Sequence, residues 1–186
     1  MPLQHISDHI LKSMNRGISA AGTKALIDKI RARMPNASVR TTFIVGMPGE
    51  TSENFNEMLQ YVQAARFEKM GVFVYSREEG TPAYDMPDQV PQAIKRQRMN
   101  TLMGEQKKIS HDIQQRFVGR RLKVLIEEKQ KDEENMYLGR REYDAPDVDG
   151  LIYVRSQKEL GPGDFVKVLV TDAYEYDLAG EIDESA

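Results

Sequence analysis

The run Arg40-Thr41-Thr42-Phe43-Ile44-Val45-Gly46-Met47-Pro48-Gly49-Glu50-Thr51 constrains the fold more than any other part of this chain. Thr41 to Val45 are β-branched or aromatic throughout, the composition of a strand buried on both faces of a parallel sheet. Gly46 and Gly49 flank Pro48. Glycine removes the Cβ where a ligand or another backbone must come close, and proline fixes φ, so the turn is expected to be rigid. Thr51 or Ser52 is placed to cap a helix whose apolar positions Phe55, Met58, Leu59 and Val62 recur at helical spacing. Strand, turn and helix make a βα unit with a site expected at its top.

The neighbouring segments extend this unit. Met70-Gly71-Val72-Phe73-Val74-Tyr75 is a second buried-strand candidate, followed by the polar turn Ser76 to Pro82. Upstream, Pro2 to Asp8 leads into an amphipathic helix carrying Ile10, Leu11 and Met14, which Gly17 is placed to end in a left-handed cap. A further helix, Ala20 to Met34, carries Leu26, Ile27, Ile30 and Met34 on one face and stops at Pro35-Asn36. Strands alternating with helices predict an α/β region with a parallel sheet, open or closed, and a ligand at the carboxyl ends of its strands.

A long helix from about Gln92 to Phe117 follows, with Ile94, Leu102, Ile109, Ile113 and Phe117 at helical intervals. Met99 and Met103 belong to its buried or half-buried side, while Lys95, Arg96, Arg98, Lys107 and Lys108 read as a solvated face. Beyond Gly119 the pattern changes to short strands: Leu122 to Glu127, Leu138 to Tyr143, Leu151 to Val154, Phe165 to Thr171 and Asp177 to Ile182, with turns at Asp149-Gly150 and Gly161 to Asp164. These predict a small all-β antiparallel barrel. The expected domains are therefore residues 1–118 and 119–186.

Charge divides the chain at the same place. Residues 119–186 hold 10 Lys and Arg against 17 Asp and Glu, a net −7, whereas residues 1–118 carry net +4. Nonspecific nucleic-acid affinity comes from neutralising phosphates with lysine and arginine, so so acidic a barrel disfavours an RNA partner and suits a basic one. No apolar run approaches transmembrane length. No membrane association is expected.

Pro2-Leu3-Gln4-His5-Ile6-Ser7-Asp8, Thr42 to Thr51 and Gly71 to Ala83 together resemble the second half of the radical S-adenosylmethionine (SAM) barrel in methylthiotransferases, the RimO branch above its tRNA-modifying sister MiaB. The segment from about Arg120, through Gly139-Arg140-Arg141-Glu142-Tyr143-Asp144 to Tyr176-Asp177-Leu178-Ala179-Gly180-Glu181, resembles the OB-like TRAM domain that ends such enzymes. The resemblance implies an incomplete TIM-like barrel followed by TRAM, and a methylthiolation of the β-carbon of an aspartate in a basic small-subunit ribosomal protein. It implies S-adenosylmethionine and two 4Fe-4S clusters as cofactors, and a cytoplasmic setting. The chain has no cysteine, and thiolates hold such clusters, so the cluster ligands are absent from it. It is therefore expected to be inactive alone, as a carboxy-terminal piece of a longer enzyme whose amino-terminal half is a further partner.

The same resemblance assigns site residues. Thr42, Ile44 and Gly46 would lie beside the adenosyl part, Tyr75 and Ser76 would offer backbone hydrogen bonds to adenine, and Gln4 and His5 would reach ribose or the methionyl group. The family pattern Gly-x-Ile-x-Gly-x-x-Glu is kept at Ile44 and Gly46, with Thr42 in place of the first glycine and Glu50 one residue late. Glu50 is expected to fix the turn or favour the helix amino terminus, and His5 alone reads equally as a hydrogen-bonded neighbour of a helix entry. His9 and His111 lack metal-ligand company, so no metal site is assigned on this chain. Asp144, Asp147 and Asp149 form an acidic loop expected to dock the basic substrate.

Overall fold

The computed structural model describes residues 1–131 and 133–183, which fall into two compact units, Met1–Ile109 and one beginning at Ser110. The division lies inside the long helix, earlier than the boundary expected from the change of pattern at Gly119.

In the first unit, α1 (Asp8–Ser13) and α2 (Ala20–Arg33) precede β1 (Arg40–Val45), α3 (Ser52–Ala65) and β2 (Lys69–Val74), and α4 begins at Gln92. β1 and β2 pair in parallel, Thr42 opposite Gly71 and Ile44 opposite Phe73. Gln4 makes an isolated parallel bridge to Phe43 on the other edge of β1, so three chain segments run side by side in one direction. The expectation of strands buried on both faces is corrected here. Thr41, Phe43 and Val45 are buried, but Thr42 and Ile44 on the opposite face are only half-buried, and Phe73 in register with Ile44 is 61% exposed. A parallel sheet needs cover on both faces, and this unit supplies helices to one of them.

The buried face meets the core of the helical layer: Ile10, Leu11, Ile27, Phe55, Met58, Val62 and Phe67 are all buried. The rings of Phe43 and Phe67 lie 6.0 Å apart, and Tyr61 meets Phe67 edge-on at 5.9 Å. α3 starts with a capping box in which Thr51 Oγ1 accepts from the Asn54 amide and Asn54 Oδ1 accepts from the Thr51 amide. α1 is shorter than the sequence suggests. It ends at Met14, and Asn15 rather than Gly17 takes the left-handed conformation, φ 55°.

The second unit holds β3 (Arg121–Lys129), β4 (Met136–Arg140), β5 (Ile152–Arg155), β6 (Phe165–Ala173) and β7 (Leu178–Ile182). They close in the order β3-β4-β5-β7-β6 around Val124, Ile126, Tyr137, Ile152, Val154, Val168, Val170 and Leu178. This is the five-strand arrangement of OB-like barrels. It is not wholly antiparallel, because β5 and β7 pair in parallel. β6 leaves β5 by a long connection and pairs with β3, so β7 returns beside β5 in the same direction. Gly139, Gly150 and Gly180 keep that closure tight: a Cβ on each would fall onto a carbonyl oxygen, of Leu125, Tyr176 and Leu169 respectively.

Candidate cofactor face and its clamp

The carboxyl ends of the three parallel segments lead into the stretches singled out in the sequence: Gln4-His5 after the first, Gly46 to Glu50 after β1, and Tyr75-Ser76 after β2. The fold brings them together at one end of the sheet and then locks them with charge. Glu50 is buried (4% exposed); its Oε2 accepts the Gly46 amide at 2.8 Å, and its Oε1 accepts from Arg98 Nη1 at 2.6 Å. Arg98 Nη1 also donates to the Glu50 carbonyl at 3.0 Å. His5 is fully buried, its Nδ1 accepting from the Ser7 amide at 3.0 Å. That bond places the neutral ring's proton on Nε2, which stands 3.5 Å from Glu50 Oε2 without a hydrogen bond.

Lys95, one turn before Arg98 on α4 (Gln92–Gln115), completes the clamp. Its ammonium donates to the Tyr75 carbonyl at 3.0 Å and lies 4.6 Å from the centre of the Tyr75 ring. Burial pushes the Lys95 ammonium below its ordinary range, and the Glu50 carboxylate opposes that shift. The solvated basic face expected for α4 is thus corrected in part. Arg96, Lys107 and Lys108 are exposed, but Lys95 and Arg98 are buried because the strand ends offer them a carboxylate and carbonyls. Ile94, one of the apolar positions at helical intervals, is 38% exposed.

These contacts decide how each expected cofactor residue is placed. Thr42 and Ile44 lie on the half-exposed face, with Gly71 and exposed Phe73 in register beside them. Gly46 adopts φ 78°, and the space a Cβ would take there is filled by the Lys95 side chain, so its freedom serves the clamp. His5 lies wholly inside. Gln4 is half-buried at φ 69° and spends its amide and carbonyl on Thr42 and Ile44. Tyr75 spends its amide on the Val45 carbonyl and its own carbonyl on Lys95, while its hydroxyl is buried without a partner. Ser76 is exposed, its hydroxyl on Glu78 at 2.7 Å. Lys95 and Arg98 were the residues sequence reasoning missed; their three-residue spacing was the available signal, since it puts both on one helix face.

The acidic loop divides likewise. Asp144 is buried and grips Arg141, with Oδ2 2.8 Å from Arg141 Nε and Oδ1 3.0 Å from Nη2. Asp149 is half-buried and accepts from the Ala145 amide at 2.7 Å. Asp147 alone of the three is exposed. The expected docking triple is therefore not one solvent-facing surface: a carboxylate followed by backbone turns serves the loop before it serves a partner.

The half-exposed face fits an adenosyl group: Ile44, Gly71 and Phe73 give an apolar shelf, and the buried Tyr75 hydroxyl beside them has no partner within the chain. The chain supplies no thiolate for an iron–sulfur cluster, and among the described residues no cluster of His, Asp or Glu is placed to hold a metal. Among the described residues, no helix is long and apolar enough to cross a membrane.

The α/β unit with one open sheet face and the OB-like barrel that follows it each match a known sequence profile. The sequence profile of the radical SAM superfamily matches residues 1–62, and that of the TRAM domain matches residues 118–182. Ribosomal protein uS12 methylthiotransferase RimO of Caldanaerobacter subterraneus subsp. tengcongensis is 49% identical over 97% of this chain and 41% of its own length. The RimO proteins of an Anaeromyxobacter species and of Petrotoga mobilis are 46% and 47% identical over 98% and 99% of the chain, and 39% and 42% of their own lengths. Along nearly its whole length the chain is similar to RimO-type radical SAM methylthiotransferases, and it spans about two fifths of the length of these relatives.

Proposed function

We propose that this chain forms the cofactor-facing half-barrel and the substrate-docking barrel of a methylthiotransferase that modifies the β-carbon of an aspartate in a basic protein of the small ribosomal subunit. The observation that carries this reading is the match to RimO proteins along 97% of the chain, across both the clamped strand ends and the barrel. When bound, S-adenosylmethionine supplies the methyl group and the hydrogen-abstracting chemistry that an unactivated carbon requires. Thr42, Ile44 and Tyr75 hold and orient its adenosyl part, and Ser76 lies at the exposed rim. Glu50, Arg98 and Lys95 position those strand ends without touching the ligand, so the face is set before binding.

The cluster ligands lie outside this sequence, and the reading assigns them to the remaining length of the enzyme. The cytoplasm, where the ribosomal substrate is made, is the compartment that follows from it. The acidic barrel, net −7 over residues 119–186, attracts a basic protein over an RNA. The experiment is a two-dimensional NMR titration of the whole chain with S-adenosylhomocysteine, which needs no cluster chemistry. Shifts at Thr42, Ile44, Gly71 and Tyr75 are expected. Shifts confined to residues 119–186, or none at millimolar ligand, would refute the placement.

A further inference from the structure

The barrel carries a cleft that neither the acidic loop nor the cofactor face uses. It measures about 970 Å³ and lies on the outer surface of β4, β5, β7 and β6. Its floor is built from Tyr153 and Ala179, which are register partners, and from Thr171 near them on β6. Its walls are the β3–β4 connection, with Gln130 and Glu133, and the β6–β7 hairpin Tyr174 to Asp177. Four carboxylates line it, of Glu133, Asp172, Glu175 and Asp177, against the single guanidinium of Arg155. Tyr174 and Tyr176 are 54% and 40% exposed there, and the side-chain oxygen of Gln130 is buried without a hydrogen-bond partner.

We propose that this cleft is where the barrel takes an extended, arginine-rich segment of a protein, which deepens the reading above and rests on it for the identity of the protein in the cell. The barrel is closed, so no strand edge is open for a peptide to pair with, and recognition must come from side chains. Tyrosine faces beside carboxylates are what a guanidinium takes: the plane stacks on the ring while its N–H groups bond the acids. Small Ala179, paired with Tyr153 and with exposed Asp172, keeps the floor low enough for a main chain, and the Gln130 carbonyl is left to accept a donor from it. RNA would bring its phosphates against this excess of carboxylates. The smaller cleft of about 450 Å³ that holds Asp147 and Asp149 has acids but no aromatic ring.

The test titrates the whole isotope-labelled chain with a synthetic peptide of alternating arginine and glycine, with its glutamate counterpart, and with a single-stranded RNA of equal length. Amide shifts at Tyr153, Thr171 to Asp177 and Ala179 are expected with the arginine peptide alone, weakening at least tenfold when salt is raised from low to physiological strength or above. The variant Asp172→Asn with Tyr174→Ala, both exposed positions, should lose at least tenfold in affinity while keeping the wild-type spectrum elsewhere. Shifts confined to Asp147 and Asp149, RNA bound more tightly than the arginine peptide, or unchanged affinity in the variant would overturn the proposal. Cleft binding by the peptide together with no modification of a ribosomal protein by the complete enzyme would instead refute the functional reading and leave the cleft assignment standing.

Discussion

Replacing Arg98 by methionine isolates what the clamp contributes. Arg98 and Glu50 are both buried, and Arg98 gives Glu50 two of the contacts that hold it, to Oε1 at 2.6 Å and to the backbone carbonyl at 3.0 Å. Arg98→Met leaves a buried carboxylate that keeps the Gly46 amide and the His5 ring as neighbours and the Lys95 ammonium as a nearby cation to offset part of its charge. Removing one partner of a buried pair costs about 3–5 kcal/mol, mainly because the remaining charge is uncompensated. If so, Glu50→Gln placed in the same background should recover at least about 1 kcal/mol, because the amide oxygen still accepts the Gly46 N–H and no charge is left. The assay is native-state hydrogen exchange at the Gly46 amide, which reports opening of the turn itself. Arg98→Met should speed that exchange roughly a hundredfold or more, at 1.4 kcal/mol for each tenfold. Exchange within about threefold of wild type, or a double variant that opens further than the single one, would refute the charge argument.

Three other outcomes follow from particular contacts. Burial pushes the Tyr61 hydroxyl up to about 12, with Asp28 adding to the shift and Arg31 opposing it. The folded state therefore keeps a proton that the unfolded chain loses near 10, so stability falls as pH rises from about 10 to 12; Tyr61→Phe should abolish that loss in urea titrations across this range. Gly46→Ala should destabilise the first unit by about 1–3 kcal/mol, read as faster exchange in β1, because φ is 78° and the new methyl displaces Lys95. Reconstitution of the chain with iron and sulfide should give no sulfur-to-iron charge-transfer absorbance and no 5′-deoxyadenosine, since no thiolate is present.

The βα unit at Arg40 to Thr51, the second strand, the long helix and the five barrel strands were all legible, because periodicity and turn residues are local signals. The open inner face was not. A strand rich in β-branched residues looks the same whether helices cover both its faces or one, and Thr42, Ile44 and Phe73 carry no mark of their exposure. The clamp was hidden for a related reason: Lys95 and Arg98 resemble any solvated helix face until the fold sets a buried carboxylate and a carbonyl in front of them. The parallel β5–β7 pair depends on barrel closure, which residue patterns alone do not encode. Asp144, Asp147 and Asp149 are alike in sequence and are set apart by contacts such as Arg141 on the first and the Ala145 amide on the last.

The most direct measurement joins this chain to the portion of the Caldanaerobacter relative that it does not match and assays the product by mass spectrometry. The joined enzyme, loaded with iron and sulfide and given S-adenosylmethionine and a reductant, should release 5′-deoxyadenosine and add a methylthio group to an aspartate of the small-subunit ribosomal protein. Release of 5′-deoxyadenosine shows that the joined barrel is assembled. Its release with the ribosomal aspartate unmodified, or with the methylthio group found on tRNA, would contradict the assignment.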